Sequence, residues 1–338
     1  MTTQYSTPTL EDVAGLAGVS TATVSRAINF PDKVAVKTRQ KVEDAISKLG
    51  YSPNFGARVM AARQTKTIGA IIPTMENAVF ARGLQAFQDE LWNHGYTMLV
   101  ASTGYKDDKE EEQIRSLIAR GADALLLIGH SRNADIYRFL EAQNVPAIIT
   151  WAFDPTSERP SIGFDNKAAM HDMALQVIEM GHTQLALISA ETTSNDRALE
   201  RHRGVLAAMQ DRGLPIQNLN FIETTYGIDE GAAAFAQLMD APIRPTAVFC
   251  GNDVLAAGAL RKARELGIEV PNDISIIGFD DIELAHVVHP PLTTVHVPHR
   301  EMGRLAALAL VNLLQEGKQP EKINLKAHPI FRGTLAPV

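Results

Sequence analysis

Between residues 68 and 279 the sequence repeats one beat: a short apolar run, a longer segment with one polar face, then another apolar run. The runs lie at 68–72, 97–101, 124–128 and 147–150, and again at 185–189, 221–223, 247–250 and 274–279. The segments between them include 80–94, 107–120, 200–212, 228–239 and 252–266. Continuous apolar runs of this length suit strands buried on both faces, and strands alternating with helices build right-handed βαβ units around parallel sheets. Two doubly wound α/β lobes are therefore expected, dividing near residue 163. The chain is expected to cross back near Pro290-Pro291, so that 293–297 and a helix over 300–315 rejoin the first lobe. Ligands of such sheets sit beyond the carboxyl ends of the strands, here in a cleft between lobes.

The first 50 residues follow a different rule. Thr9 precedes Leu10 and is followed three residues later by Asp12, the spacing of a capping box, after which Leu10, Val13, Ala14 and Ala17 recur at helical period. Gly18 closes that helix, and Ser20 caps a second whose inner face carries Val24 and Ile28. Its outer face shows Thr21, Ala22, Ser25, Arg26 and Asn29. A third helix is expected from about Thr38 to Leu49, with Val42, Ala45, Ile46 and Leu49 on one stripe and Gly50 behind it. At 51–54 the sequence Tyr-Ser-Pro-Asn reads as a turn, and 55–63 has helical composition broken by Gly56. About nine residues are too few for an isolated helix in water, so this segment is expected to order only against a partner.

Charge separates the same two regions. Residues 1–66 hold 9 Lys+Arg against 5 Asp+Glu, a balance of +4, which leaves 23 against 34, or -11, for the rest of a chain of net charge -7. A basic head on an acidic body suits a protein that brings only its head to an anionic polymer. The lone cysteine, Cys250, excludes an internal disulfide and cysteine-rich zinc chemistry, and fits a reducing compartment. No apolar run reaches eighteen residues and the first residues lack a basic and apolar leader pattern, so a cytoplasmic protein without membrane contact is expected.

Catalytic signatures are missing from the sequence. It holds no phosphate-binding G-x-x-x-x-G-K-[ST] loop, no G-x-G-x-x-G after a strand, no H-E-x-x-H and no G-x-S-x-G. His286 with His289, and His296 with His299, are spaced by three like helical metal ligands, yet Pro290, Pro291 and Pro298 beside them argue for loop or surface positions. The run Asp107-Asp108-Lys109-Glu110-Glu111-Glu112 reads as an acidic helix start favoured by the helix dipole. No catalytic residue, metal or cofactor is expected.

Taken in order, residues 10–29, Leu49-Gly50-Tyr51-Ser52-Pro53-Asn54, Thr67-Ile68-Gly69, Asn252-Asp253, Ile277-Gly278-Phe279-Asp280-Asp281 and Pro290-Pro291-Leu292-Thr293-Thr294-Val295 resemble the lactose-repressor (LacI/GalR) family of bacterial transcription regulators along essentially the whole chain. The resemblance implies an α/β protein: an N-terminal three-helix helix-turn-helix DNA-binding domain over 1–50, a hinge helix and linker over 51–66, and two periplasmic-binding-protein-like lobes. These lobes would comprise 67–163 with 291–325, and 164–290 with 326–338. It implies a homodimer, with a higher oligomer as the alternative, on a pseudopalindromic operator in double-stranded DNA.

The second helix would enter the major groove. There Arg26 has the fork to pair with guanine O6 and N7, the competing reading being a surface ion pair. Thr21 and Ala22 would hold the positions that vary between operators. Ser20, Thr23, Ser25 and Asn29 suit phosphate oxygens. By resemblance Thr38, Asn54 and Ala57 join the DNA-facing set, and Met60 takes the place of the apolar wedge that the family inserts between base steps.

The same resemblance lines the effector cleft with Phe80, Trp151, Arg201, Tyr226, Asn252 and Asp280. Arg201 offers a planar fork of donors and Asp280 two acceptors, a pair suited to vicinal hydroxyls or a carboxylate, while the rings can pack on the apolar face of a sugar. A sugar or sugar acid is the expected effector of a repressor of carbohydrate genes. A purine is the alternative, disfavoured by Val79, which stands where the purine-responsive branch tends to carry an aromatic residue. A cytosolic sugar-binding protein without regulatory output is the other rival.

Overall fold

The computed structural model describes residues 7–52, 64–76 and 78–338, and the chain forms two compact units, 1–65 and 66–338. In the first, α1 (Leu10–Ala17) begins at the Thr9–Asp12 capping box and ends on Gly18 in the left-handed conformation. Helix α2 (Thr21–Asn29) is capped by the Ser20 hydroxyl, which accepts from the Thr23 amide. Helix α3 (Val36–Leu49) starts two residues before the expected position, with no side-chain cap, and Gly50 closes it. Val13, Ala14, Ala17, Val24, Ala27, Val42 and Ala45 form the core of this unit.

The second unit opens with β1 (Thr67–Ile72), α4 (Ala78–Asn93), β2 (Thr97–Ser102), α5 (Asp107–Ala119), β3 (Ala124–Ile128), α6 (Ala134–Ala142), β4 (Ala147–Thr150) and β5 (Ser161–Gly163). It continues through α7 (Asn166–Glu179), β6 (Leu185–Ser189), α8 (Asp196–Asp211), β7 (Leu219–Glu223), α9 (Ile228–Met239), β8 (Ala247–Cys250), α10 (Asp253–Glu265), β9 (Ser275–Ile277) and α11 (Leu284–Val287). It ends with β10 (Thr294–His296), α12 (His299–Glu316), β11 (Ile323–Asn324) and β12 (His328–Ile330). The first sheet has the order β11-β5-β4-β3-β1-β2 and the second β7-β6-β8-β9, every pairing in both being parallel. A small antiparallel pair, β10 with β12, lies where the chain passes between them.

The apolar runs explain the sheets. All residues of β1, β3, β6 and β8 are buried, and each of these strands has a neighbour on both sides. The acidic run does open α5, with Asp107, Asp108 and Glu110 in its first turn. Helix α8, however, begins at Asp196 rather than at 200, because Asn195 caps it by accepting from the Ala198 amide at 3.3 Å. That extra turn brings Arg197 onto the same helix as Arg201. Among the described residues no helix is long and apolar enough to cross a membrane. Cys250 is buried and free.

Helices α4 and α12 approach each other through Gly83 and Gly303. A Cβ on Gly303 would overlap the Gly83 carbonyl oxygen, and one on Gly83 would overlap the Trp151 ring. Overpacking a close-packed seam typically costs about 1–3 kcal/mol, and backbone cannot rotate out of the way as a side chain does. Gly303→Ala is therefore expected to lower unfolding stability in urea by about 3 kcal/mol; a loss below about 0.5 kcal/mol would show that the seam has slack.

Candidate functional site

Phe80, Trp151, Arg201, Tyr226, Asn252 and Asp280 come together around one cavity. Their elements explain the convergence. Phe80 lies in the first turn of α4, Trp151 directly after β4, Tyr226 between β7 and α9, and Asp280 three residues after β9. Asn252 caps α10, its side chain accepting from the Leu255 amide at 2.9 Å. Arg201 lies in the second turn of α8. Five of the six stand just past the carboxyl end of a strand, where doubly wound sheets gather their ligands.

Arg201 is nearly enclosed. Its Nη1 donates to Asn166 Oδ1 at 2.8 Å, its Nη2 to the Tyr226 hydroxyl at 2.8 Å, and its guanidinium lies 4.8 Å from the Phe279 ring centre. The Nε proton is buried with no hydrogen-bond partner among the described residues. A charged donor held without a partner is costly, and an acceptor on a bound molecule would relieve it.

Behind Trp151 and Asp280 a hydrogen-bond relay through His299 fixes proton positions. The Trp151 indole can only donate, so its 3.1 Å contact makes His299 Nδ1 the acceptor and leaves the ring proton on Nε2. From there it donates to the Asp280 carbonyl oxygen at 3.1 Å. Burial pushes the His299 pKa down to about 4, which keeps the ring neutral. The Asp280 carboxyl itself accepts no hydrogen bond among the described residues. Burial raises its pKa to about 6, against the pull of Arg201 and then Arg197.

The sign of the resulting pH dependence follows from linkage. Because folding raises the Asp280 pKa from 3.8 to about 6, its contribution to stability is fully present below pH 3.8 and lost as pH rises through 6. His299, lowered from 6.5 to about 4, acts oppositely: its contribution is present above pH 6.5 and lost as pH falls through 4. Asp280→Asn keeps the second effect and removes the first. Its Tm relative to the wild type is expected to rise between pH 4 and pH 7; an unchanged difference would mean Asp280 ionises as an ordinary exposed carboxylate.

Strain marks the same place. Three of the six described non-glycine residues with positive φ, Tyr105 at 60°, Trp151 at 59° and Asp280 at 104°, line this cavity. Such conformations cost about 1–3 kcal/mol and persist where surroundings enforce them, most often at functional sites. Phe80 packs edge-on to Trp151, with centroids 5.4 Å apart, so both rings are core and cavity wall at once.

The structure places Val79 in the lining and also adds residues that the sequence did not point to: Tyr105, Asn195 and Arg197, with Phe164. Tyr105 stands 5.7 Å from Tyr226, ring to ring. Arg197 Nη1 donates to Asp196 Oδ1 at 2.9 Å. Asp196 Oδ2 in turn accepts from the backbone amides of His130 and Ser131. Burial opposes ionisation of Asp196, but Arg197 and the His130 amide outweigh it and hold the pKa below its usual value. The one available signal was Asn195 as a helix cap, which would have put Arg197 and Arg201 four apart on one face.

The histidines depart from the loop or surface expectation in part. His299 is buried at the start of α12, and His286 lies in the short helix α11. Proline at 298 does not exclude His299 from a helix because proline is tolerated immediately before the first helical turn. His296 Nδ1 contacts Asp281 Oδ2 at 2.9 Å.

In the N-terminal unit, Thr21, Ala22 and Arg26 are exposed on α2, while Thr23, Ser25 and Asn29 are half-buried. Arg26 has no ion pair among the described residues. The Ser20 and Thr23 hydroxyls contact each other at 2.9 Å, and Asn29 Nδ2 donates to Ser25 Oγ at 3.4 Å. Thr38 is half-buried in the first turn of α3. Asn54, Ala57 and Met60, with most of the expected hinge over 51–66, lie outside the described residues.

Comparison with known proteins agrees with this architecture. Residues 9–54 match the model of the bacterial regulatory proteins, lacI family, and residues 174–335 that of a periplasmic binding protein-like domain. The HTH-type transcriptional repressor CytR of Escherichia coli (strain K12) is 35% identical over 312 residues, 92% of this chain and 91% of CytR. The HTH-type transcriptional repressor PurR of Vibrio atlanticus (strain LGP32) is 34% identical over 326 residues, covering 95% of this chain and 96% of PurR. The lac repressor dimer bound to operator and the anti-inducer ONPF superposes with a TM-score of 0.84 at 28% identity, covering 98% and 100%.

Proposed function

The chain belongs to the lacI family of bacterial regulatory proteins, and from that premise we propose that it is a cytoplasmic, homodimeric repressor of carbohydrate genes whose effector is a sugar or sugar acid. The observation that carries the effector assignment is the convergence of Phe80, Trp151, Arg201, Tyr226, Asn252 and Asp280 on one cavity. Its chemistry suits a polyol. Asp280 offers an unoccupied acceptor, Arg201 Nε an unoccupied donor, and the rings of Phe80, Trp151 and Tyr226 an apolar surface. A carboxylate on the same molecule would be met by Arg201.

At the other end, Ser20, Thr21, Ala22, Thr23, Ser25, Arg26, Asn29 and Thr38 are assigned to DNA, with Arg26 reading a base and the hydroxyls positioning α2 on the backbone. The lobes are assigned as 67–163 with 291–325, and 164–290 with 326–338. A purine effector is the second reading, favoured by the 34% identity to PurR. Against it, Val79 lies in the cavity wall and supplies no ring for a base to stack on.

Two experiments test the proposal. Selection from a random duplex pool is expected to enrich one pseudopalindrome. A thermal-shift panel of sugars, sugar acids and purines is expected to show stabilisation confined to one class, about 2.7 kcal/mol at a hundredfold excess over Kd. Enrichment of no sequence would refute the regulator, and stabilisation by purines alone would replace the sugar reading with the second one.

A further inference from the structure

Resting on the reading of the cavity as the effector site, we propose that Asp281 is its positioning residue: gripped by Arg332 and His296, its carboxylate holds a left-handed turn that aims the Asp280 carboxyl at the ligand.

Two successive non-glycine residues have positive φ here, Asp280 at 104° and Asp281 at 53°. The second value is one that Asp and Asn tolerate, whereas the first is far from any comfortable region for a side-chain-bearing residue. Such a turn needs external restraint, and it is held at several backbone groups. The Asp280 amide donates to the Val295 carbonyl at 2.9 Å, and the Asp280 carbonyl accepts from His299. The Ile282 amide donates to the buried Asp253 carboxyl at 2.9 Å.

The one side chain in the turn that is fully engaged is Asp281. Arg332 Nη2 donates to its Oδ1 at 2.6 Å and His296 Nδ1 meets its Oδ2 at 2.9 Å, while His286 Nε2 stands 3.5 Å from Oδ1. Arg332 is itself anchored, its Nη1 donating to the Leu292 carbonyl at 2.8 Å and its amide to the Thr293 hydroxyl at 2.9 Å. By contrast, among the described residues the basic side-chain nitrogen nearest the neighbouring Asp280 carboxyl is that of the neutral His299, Nε2 at 3.9 Å, whose proton is committed to the Asp280 carbonyl. One carboxylate is spent on structure so that the next is free for the cavity.

The anchors are not on the strand that carries the turn. His296 ends β10 and Arg332 follows β12, the antiparallel pair where the chain passes between the two parallel sheets. Arg82, from α4 beside the first sheet, also reaches the turn, donating to the Asp281 carbonyl at 3.4 Å. The aim of Asp280 is thereby tied to the segment about which the lobes would move.

Trp151 reports on this arrangement without effector or DNA, since it is joined to the Asp280 carbonyl through His299. The full chain carrying Trp92→Phe retains Trp151 as its only tryptophan. Asp281→Asn keeps a residue that tolerates positive φ but removes the charge that Arg332 holds. In this background it is expected to raise acrylamide quenching of Trp151 about threefold. Titration of Asp280 is expected to give Trp151 emission a pH midpoint that Asp280→Asn abolishes and that Asp281→Asn moves down by about one unit as the carboxyl turns toward solvent.

Arg332→Gln tests the same contact from its other end, and also serves if Asp281→Asn fails to fold. The double variant is expected to do no more than either single one. Folded variants with lowered Tm but unchanged quenching and midpoint would overturn the proposal and leave Asp281 a merely structural residue. Additive effects of the two substitutions would equally overturn it. Because no effector enters the measurement, its failure is separate from failure of the sugar reading.

Discussion

Arg26→Ala is expected to erase most of the discrimination between the selected operator and random duplex, by about 1–3 kcal/mol per half-site, while leaving non-specific affinity and its salt dependence largely intact. The reasoning begins with the small core of the N-terminal unit. Val24 and Ala27 point inward from α2 and are buried, so Arg26, between them on the helix, points out. It carries no ion pair among the described residues, and its removal therefore leaves no buried charge or cavity behind. Thermal stability should change by less than about 0.5 kcal/mol, as for other exposed positions. A guanidinium that pairs with guanine O6 and N7 loses both bonds when truncated, whereas phosphate contacts from hydroxyls and backbone amides remain. Competition binding of operator against random duplex, at two salt concentrations, measures both quantities. Equal discrimination by wild type and variant would remove Arg26 from base readout.

The second large effect is expected at Arg201. Its fork is organised by Asn166 and Tyr226, and its Nε proton is buried without a partner among the described residues. A ligand acceptor placed against that proton gains a charge-assisted bond and ends the cost of an unsatisfied buried donor. Arg201→Ala is thus expected to weaken effector binding by about 3 kcal/mol, roughly a hundredfold, and to abolish the thermal shift seen with the active class of compound. Arg201→Lys should not rescue it, because a single ammonium cannot reach Asn166, Tyr226 and a ligand in the plane of a guanidinium. Both variants should retain operator binding, since α1–α3 form their own core. Retention of the full thermal shift in either would move the effector contact elsewhere.

How far the sequence led depends on whether a signal is local. The capping box at Thr9 and Asp12, the Ser20 cap and the left-handed Gly18 and Gly50 are all governed by a few neighbouring residues, and they stand where they are expected. So do the apolar runs at 124–128, 147–150, 185–189 and 247–250, each matching a strand end to end. What escaped is set by distant parts of the chain. Strand β5 has three residues and β11 two, too short for any period; they exist because Ile162 aligns with Thr150 on one side and Ile323 on the other. The burial of His299 likewise depends on Trp151, 148 positions away. Among cavity residues, the six taken from the family resemblance converge, while Tyr105 and Arg197 have no motif to flag them. Their place follows from a left-handed turn after β2 and from one added turn of α8.

The proposed function turns on one claim: a small molecule held between Arg201 and Asp280 changes how the N-terminal unit grips its operator. The most direct measurement is the operator Kd of the full chain with and without the compound giving the largest thermal shift, repeated with Arg201→Ala. The account predicts at least a tenfold change in the wild type and none in the variant. An operator Kd that stays constant while that compound saturates the cavity would contradict it.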